Sequence, residues 1–224
     1  EDSAHCIEGS RNGIHPGMLS DAACFSFHPI KTITCGEGGA IVCRNPELRK
    51  KLVALRLHGI STSMMERRDG VTEQEMHSLG WKYNMTNIQA ALLLPQLDSM
   101  HERHAIRTSH ARLYKNKFFC MRNVRMLEQM PDTIHTHSIF SILVPKDIRD
   151  HIIHFLRERG IETLRAHKLI YQMPFYRHMG YQDGLCPNAE ELREQIILLP
   201  MYPRLKEEEI LYVADSIELA LSTG

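Results

Sequence analysis

The sequence carries no surplus of charge: Lys and Arg together number 27 and Asp and Glu 27 over 224 residues. Without a net positive field, nothing draws the whole chain over long range to nucleic acid or an anionic membrane, although a local patch is compatible with neutrality. No apolar run approaches the ~18 residues that a membrane-crossing helix needs. The first residues lack a basic-then-apolar segment of the secretory kind, so a soluble, cytoplasmic protein is expected. A C-x-x-C pair is also missing. Cys6, Cys24, Cys35, Cys43, Cys120 and Cys186 are scattered, which leaves a zinc ribbon or thioredoxin-like motif unsupported and favours reduced thiols packed as small hydrophobes. Neither an internal repeat nor a linker of biased composition interrupts the chain.

What is there is ordinary globular material, 43% hydrophobic and 24% charged, long enough for one large or two small domains with a real core. Histidine is common at 14. The pairs His101/His104, His135/His137 and His151/His154 invite a metal reading, but no Cys, Asp or Glu stands beside them in a familiar ligand pattern.

Asp21 to Phe27 reads as a short apolar strand, ended by His28-Pro29 because proline cannot continue a ladder. Gly36-Glu37-Gly38-Gly39 is turn chemistry, followed by a second strand over Ala40 to Cys43. Asn45-Pro46-Glu47 predicts a capped helix start, with Leu48, Leu52 and Leu55 on one face and Gly59 to close it. Residues 61–78 read as a long polar loop. Thr86 and Gln89 form a capping box, and the helix they open is expected to run past residue 110 with a kink at Pro95. That helix reads as a connector, with a domain boundary near residue 105. Beyond it, His137 to Val144 reads as a strand and Asp147 to Arg159 as a helix with Ile148, Ile152 and Leu156 inward, stopped by Gly160. A capped start at Asn188 and a final amphipathic helix over Leu205 to Leu221 complete an α/β alternation.

Taken singly, the chemistry-bearing residues are unremarkable. A lysine after a strand is normally a surface charge, and a serine inside one is normally hydrogen-bonded core. The joint pattern is different. E-D-S-A-H at residues 1–5, S-D-A-A-C-F-S-F-H-P-I-K-T-I-T-C-G-E-G-G-A-I-V at 20–42 and L-G-W-K-Y-N-M-T-N-I-Q-A-A at 79–91 closely resemble the DegT/DnrJ/EryC1/StrS family of pyridoxal-phosphate-dependent nucleotide-sugar aminotransferases, the group that includes perosamine synthesis. The likeness continues through G-I-E-T, Q-M-P-F-Y-R and L-L-P-M-Y-P-R-L.

The resemblance implies the aspartate aminotransferase fold (fold type I): residues 1–104 as the C-terminal portion of the large cofactor-binding domain, with a mixed, mostly parallel sheet, and 105–224 as a small C-terminal α/β domain. It implies that Lys31 bonds the aldehyde of pyridoxal 5′-phosphate and afterwards moves a proton as general acid and base. Asp2 matches the carboxylate that keeps the pyridine nitrogen protonated. His5 matches a position near the cofactor oxygen, Ser26 a phosphate ligand, and Asn84 an asparagine given to the phosphate of the neighbouring subunit's cofactor. The last of these implies a homodimer with composite sites. The implied partners are a nucleotide-sugar substrate and an amino-acid donor, glutamate foremost, with neither nucleic acid nor membrane.

Two features depart from the family pattern. The family's chains extend further on the N-terminal side and carry there a Gly/Thr phosphate loop and an aromatic residue that stacks on the ring, so an N-terminally truncated chain with part of the pocket is expected. Tyr171 stands where many members have a histidine reaching the sugar site. Glu37-Gly38-Gly39 is read either as a phosphate cradle or as a turn that needs glycine, and Arg67-Arg68 either as ligands of a nucleotide diphosphate or as a solvated pair. Competing functional readings are a fragment without activity of its own and sugar dehydration on the same scaffold, whose relatives typically lack the lysine.

Overall fold

The computed structural model describes residues 1–60 and 75–223. Arg67 and Arg68 lie outside them, as does most of the loop expected over 61–78. Among the described residues the strands are β1 (Ser10–Arg11), β2 (Ala22–Ser26), β3 (Gly39–Cys43), β4 (Arg125–Met126), β5 (Thr133–Ile134), β6 (Phe140–Leu143), β7 (Leu164–Arg165) and β8 (Ile196–Leu199). The helices are α1 (Pro46–Leu55), α2 (Asn87–Asp98), α3 (Met100–Phe118), α4 (Lys146–Glu158), α5 (Pro174–His178), α6 (Pro187–Gln195) and α7 (Glu207–Thr223), with a 3₁₀ turn at Ile170–Gln172. No described helix is long and apolar enough to cross a membrane. The chain divides into two compact units, Glu1–His101 with Asp132–Thr136, and Glu102–Pro131 with His137–Gly224.

In the first unit β2 and β3 pair antiparallel from Ala22↔Cys43 to Ser26↔Gly39. A Cβ on Gly39 would lie 2.8 Å from the Phe25 carbonyl oxygen, so the residue leaving the turn must lack one. Gly36 has φ +85° in the same turn. The parallel contact is a bridge between Asp2 and Cys24, closed by the Ser3 N–H to the Cys24 oxygen at 2.9 Å and the Cys24 N–H to the Glu1 oxygen at 2.9 Å. The named ladders of both units are antiparallel. Asn45 caps α1 through its side-chain oxygen, which accepts from the Glu47 and Leu48 N–H groups. Gly59, at φ +71°, returns its N–H to the Ala54 oxygen. The core here gathers Phe27, Ile33, Cys35 and Leu93, with Ile7, Ala40 and Met85 against it.

The capping box of Thr86 and Gln89 is present at the start of α2. The break that follows differs from the expected kink: α2 runs through Pro95 and stops at Ser99, where φ −93° and ψ 6° interrupt the helix before α3 begins. Ser99 Oγ donates to the Pro95 carbonyl at 2.9 Å, the local side-chain bond by which serine competes with a helical backbone.

The second unit is built on a four-stranded sheet of order β4-β6-β8-β7. Its central pair runs from Phe140↔Leu199 to Leu143↔Ile196. Ile152 and Leu156 of α4 are fully buried and Ile148 packs beside them, as the helical spacing predicts. Gly160 ends that helix with φ +74°. Tyr114, Phe118 and Phe140 stack within the same core, and Ile210, Val213 and Ile217 close it from α7. The capped start expected at Asn188 is not observed. Helix α6 begins at Pro187 with Cys186 before it and no side-chain cap, because the fixed φ of proline already suits the first helical position. The final helix opens at Glu207, its first turn carrying Glu207, Glu208 and Glu209 against the positive end of the helix dipole.

Asp132–Thr136 leaves the second unit's stretch of sequence and joins the first, where β5 pairs with β1. The Asn12 N–H donates to the Asp132 oxygen at 2.8 Å, and Thr136 Oγ1 donates to the His5 oxygen at 3.1 Å.

Candidate functional site

The site grows from the C-terminal end of β2. Pro29 halts the ladder, and the chain turns at once, with the Lys31 N–H bonded to the His28 oxygen at 2.9 Å. The following residues alternate. Ile33 and Cys35 enter the core, while Thr32 and Thr34 turn the other way and are bonded by side chains from distant segments. Thr32 Oγ1 donates to Glu8 Oε2 at 3.1 Å. The Thr34 N–H donates to Gln96 Oε1 at 3.0 Å, and Gln96 Nε2 donates back to the Thr34 oxygen at 2.7 Å. Thr34 Oγ1 in turn donates to the Phe27 carbonyl at 2.9 Å. Lys31 is thus carried on a short strap with its apolar side anchored and its polar side tied.

The Lys31 amine reaches the opening segment of the chain, where its Nζ lies 2.6 Å from His5 Nε2. Asp2, on that same segment, is held beside Cys24 by the parallel bridge, and its Oδ1 accepts the Ala4 N–H at 3.1 Å. Ser26 lies two residues beyond Cys24 on the same side of β2. Its Oγ accepts the His28 N–H at 3.4 Å, which leaves its own hydrogen to be donated. Asp2, His5, Ser26 and Lys31 therefore share one unit and are joined through β2, the segment beside it and the turn that follows. Glu1, at the head of the segment, accepts from the Gly17 N–H and from Ser20, and these bonds hold its carboxyl below the usual range. Burial pushes the Cys35 thiol up, so it packs as a small hydrophobe rather than reacting.

Asn84 belongs to the first unit and is exposed in the stretch before α2. Tyr171 belongs to the second unit, where its hydroxyl donates to Glu190 Oε1, an oxygen that also accepts the Gly184 N–H at 2.6 Å. Partial burial and the Glu190 carboxylate push the phenol up to about 12. Of the glycines after the lysine, Gly36 serves the turn by its positive φ and Gly39 by its close approach to β2. No group of three His, Cys, Asp or Glu side chains among the described residues is placed to hold a metal ion.

Glu8, Thr32, Thr34 and Gln96 were not visible as site residues in the sequence. A single carboxylate and a single amide carry no motif, and the bonds they make span 24 and 62 residues. The alternation T-I-T-C at residues 32–35, directly after Lys31, was the available hint. A separate groove of about 880 Å³ lies over β3 beside α1, lined by Ile41, Val42, Leu52, Arg56, Trp81 and Tyr83 among others. Lys31, Asp2, His5 and Ser26 do not line it.

Comparison with known proteins matches the chain to one family. The profile of the DegT/DnrJ/EryC1/StrS aminotransferase family covers residues 1–218. The uncharacterized Methanocaldococcus jannaschii protein MJ1066 is 31% identical over 229 residues, covering 99% of this chain and 59% of that protein. Among solved structures, Helicobacter pylori PseC, an aminotransferase involved in the biosynthesis of pseudoaminic acid, superposes with a TM-score of 0.91 at 28% identity, covering 100% of this chain and 59% of that one. The PMP form of Streptococcus pneumoniae Spr1654, assigned as a sugar aminotransferase and also solved in a PLP form, superposes with a TM-score of 0.91 at 26% identity, covering 99% and 58%. The chain thus spans somewhat more than half the length of the relatives it matches. With its fold shared across nearly all of its length and the family profile matched over residues 1–218, the chain belongs to the DegT/DnrJ/EryC1/StrS aminotransferase family.

Proposed function

We propose that this chain carries the reactive lysine of a pyridoxal 5′-phosphate-dependent sugar aminotransferase. The amino group passes from an amino acid, glutamate foremost, to a nucleotide-linked keto-deoxysugar destined for polysaccharide or antibiotic sugar assembly. The observation that carries this reading is the Lys31 amine, 2.6 Å from His5 and joined through β2 to Asp2 and Ser26. That donor set suits the cofactor: a primary amine for an aldehyde, a carboxylate for a ring nitrogen and a hydroxyl for a phosphate. When bound, pyridoxal phosphate supplies the aldehyde carbon and an electron-withdrawing ring.

The residues then divide the work. Lys31 would hold the cofactor's aldehyde carbon, and its amine would carry a proton to and from the substrate carbon. Asp2 keeps a proton on the ring nitrogen through its negative charge. His5 stands by the ring oxygen, and Ser26 donates to the phosphate. In this reading 1–104 is the C-terminal portion of the cofactor-binding domain and 105–224 the small domain. Tyr171 belongs to the sugar side of the site, fixed in orientation by Glu190.

A homodimer completes the site, with Asn84 reaching the phosphate of the partner's cofactor. The exposure of Asn84 supports this, as does α2, which is apolar on several sides yet leaves Ile88, Leu92, Leu94 and Leu97 open. All six cysteines are free thiols, in keeping with a cytoplasmic setting.

Borohydride reduction in the presence of pyridoxal phosphate should attach the cofactor to the Lys31 peptide, and added glutamate should bleach the yellow protein to the pyridoxamine form. A wild-type chain that is tagged elsewhere, or that keeps its colour with every amino acid offered, overturns the reading.

A further inference from the structure

The strap that carries Lys31 is tied on its polar side at two points, neither of which belongs to the residues that meet the cofactor. Glu8 is a buried carboxylate with 8% of its surface exposed. It lies three residues after His5 and accepts the hydroxyl proton of Thr32, the residue next to Lys31. One short segment therefore touches the lysine through His5 at 2.6 Å and the lysine's neighbour through Glu8 at 3.1 Å. On the far side, Gln96 of α2 pairs with both backbone groups of Thr34, at 3.0 and 2.7 Å, as a neighbouring strand would. Its amide is itself steadied by a bond from Nε2 to the Leu92 oxygen at 2.6 Å. Ile33, 1% exposed, plugs the strap into the core between the two ties.

A lysine side chain has four rotatable bonds, so the backbone from which it springs must be fixed if its amine is to meet a carbon repeatedly in one geometry. Displacements near 1 Å at a reacting centre can cost on the order of a hundredfold in rate. Core burial of Ile33 sets the depth of the strap but resists sliding and twisting poorly, because apolar contacts are non-directional. Directional hydrogen bonds on the opposite side supply what the core does not.

We propose that Glu8 and Gln96 are positioning residues for Lys31, acting through Thr32 and Thr34 to fix where its amine stands. This rests on the assignment of Lys31 as the cofactor lysine. Neither residue touches the cofactor, and their effect falls on the geometry of amine attack rather than on the affinity of the phosphate.

The test uses the full chain in five forms: wild type, Glu8→Ala, Glu8→Gln, Thr32→Val and the Glu8→Ala/Thr32→Val pair, with Gln96→Ala in parallel. Two rates are measured for each: borohydride-trappable attachment of pyridoxal phosphate to Lys31, and acetylation of Lys31 relative to Lys50 in protein without cofactor. Glu8→Ala and Thr32→Val should each slow attachment by about tenfold, and the pair should be no slower than the slower single variant, because the Thr32–Glu8 bond is lost in both. Glu8→Gln retains an acceptor oxygen and should stay near wild type. Gln96→Ala should slow attachment similarly and speed hydrogen exchange at the Thr34 amide. The ratio of Lys31 to Lys50 acetylation should change in the variants that slow attachment. Multiplying effects in the double variant, or attachment at the wild-type rate in Gln96→Ala despite faster Thr34 exchange, overturns the proposal. If wild-type Lys31 takes no cofactor, the parent reading fails instead, and the acetylation ratios in cofactor-free protein still decide whether the ties set the amine's environment.

Discussion

At the scale of single residues, two groups of the second unit tie stability to pH. His110, 8% exposed on α3, has its pKa pushed below 6.5 by burial, partly offset by the Tyr202 backbone. The folded unit therefore holds fewer protons there than the unfolded chain. Its contribution is complete above about pH 6.5 and is lost as pH falls through the lowered folded value. Thermal melts should show the second unit weakening on the acid side, with a shallower dependence in His110→Leu. Tyr171 behaves in the opposite sense. Its phenol moves from 10.0 to about 12, so its contribution is complete below pH 10 and is lost as pH rises through about 12. Phenolate absorbance should show two late-titrating tyrosines, Tyr114, which burial raises further still, and Tyr171, and the earlier of the two should disappear in Tyr171→Phe. Lys31 and Asp2 were singled out by the dense local motif that surrounds them. Glu8 and Gln96 were not, because their meaning lies in a partner that the sequence does not bring near.

Elements were legible where their signals are local. Thr86 and Gln89 satisfy each other's amides as their spacing predicts, the Gln89 N–H reaching Thr86 Oγ1 at 3.2 Å and the Thr86 N–H reaching Gln89 Oε1 at 3.0 Å. Thr86→Ala should lower the stability of the first unit by about 1 kcal/mol in denaturant melts, with Thr86→Ser close to wild type. The inward stripe of α4 was equally plain. Leu156→Ala, at 0% exposure, should cost about 2–5 kcal/mol, whereas Ile148→Ala, only partly buried, should cost clearly less. The signals failed where two local preferences compete. Proline at 95 predicted a kink, but the interruption falls four residues later, where Ser99 turns its hydroxyl back onto the Pro95 carbonyl. Asparagine at 188 promised a cap, but proline at 187 starts the helix first.

At the scale of the molecule, the two units differ in how much they enclose. The second has a continuous core drawn from its sheet and from α3, α4 and α7, whereas the smaller cluster around Phe27, Ile33, Cys35 and Leu93 anchors the first. Hydrogen exchange should find its slowest amides in β6, β8 and α7. The proposed composite site can be checked by complementation. Lys31→Ala and Asn84→Ala chains, each inactive alone, should regain part of the wild-type turnover when mixed, because a mixed dimer holds one site with both residues intact. Mixtures as inactive as their components would leave Asn84 within its own subunit's site or outside the chemistry.

By itself the sequence determined the α/β alternation, the capped helix starts at Asn45 and Thr86, the inward face of α4, and the family motif around Lys31. Each of these is written in residues that are neighbours along the chain or one helical turn apart. Only the tertiary structure decided that Asp132–Thr136 returns to pair with β1, that Glu8 holds Thr32, and that Gln96 of α2 takes the place of a strand beside Thr34. Those contacts join segments whose separation carries no periodicity. Their partners are selected by the packing of the whole unit, which spacing along one chain does not encode.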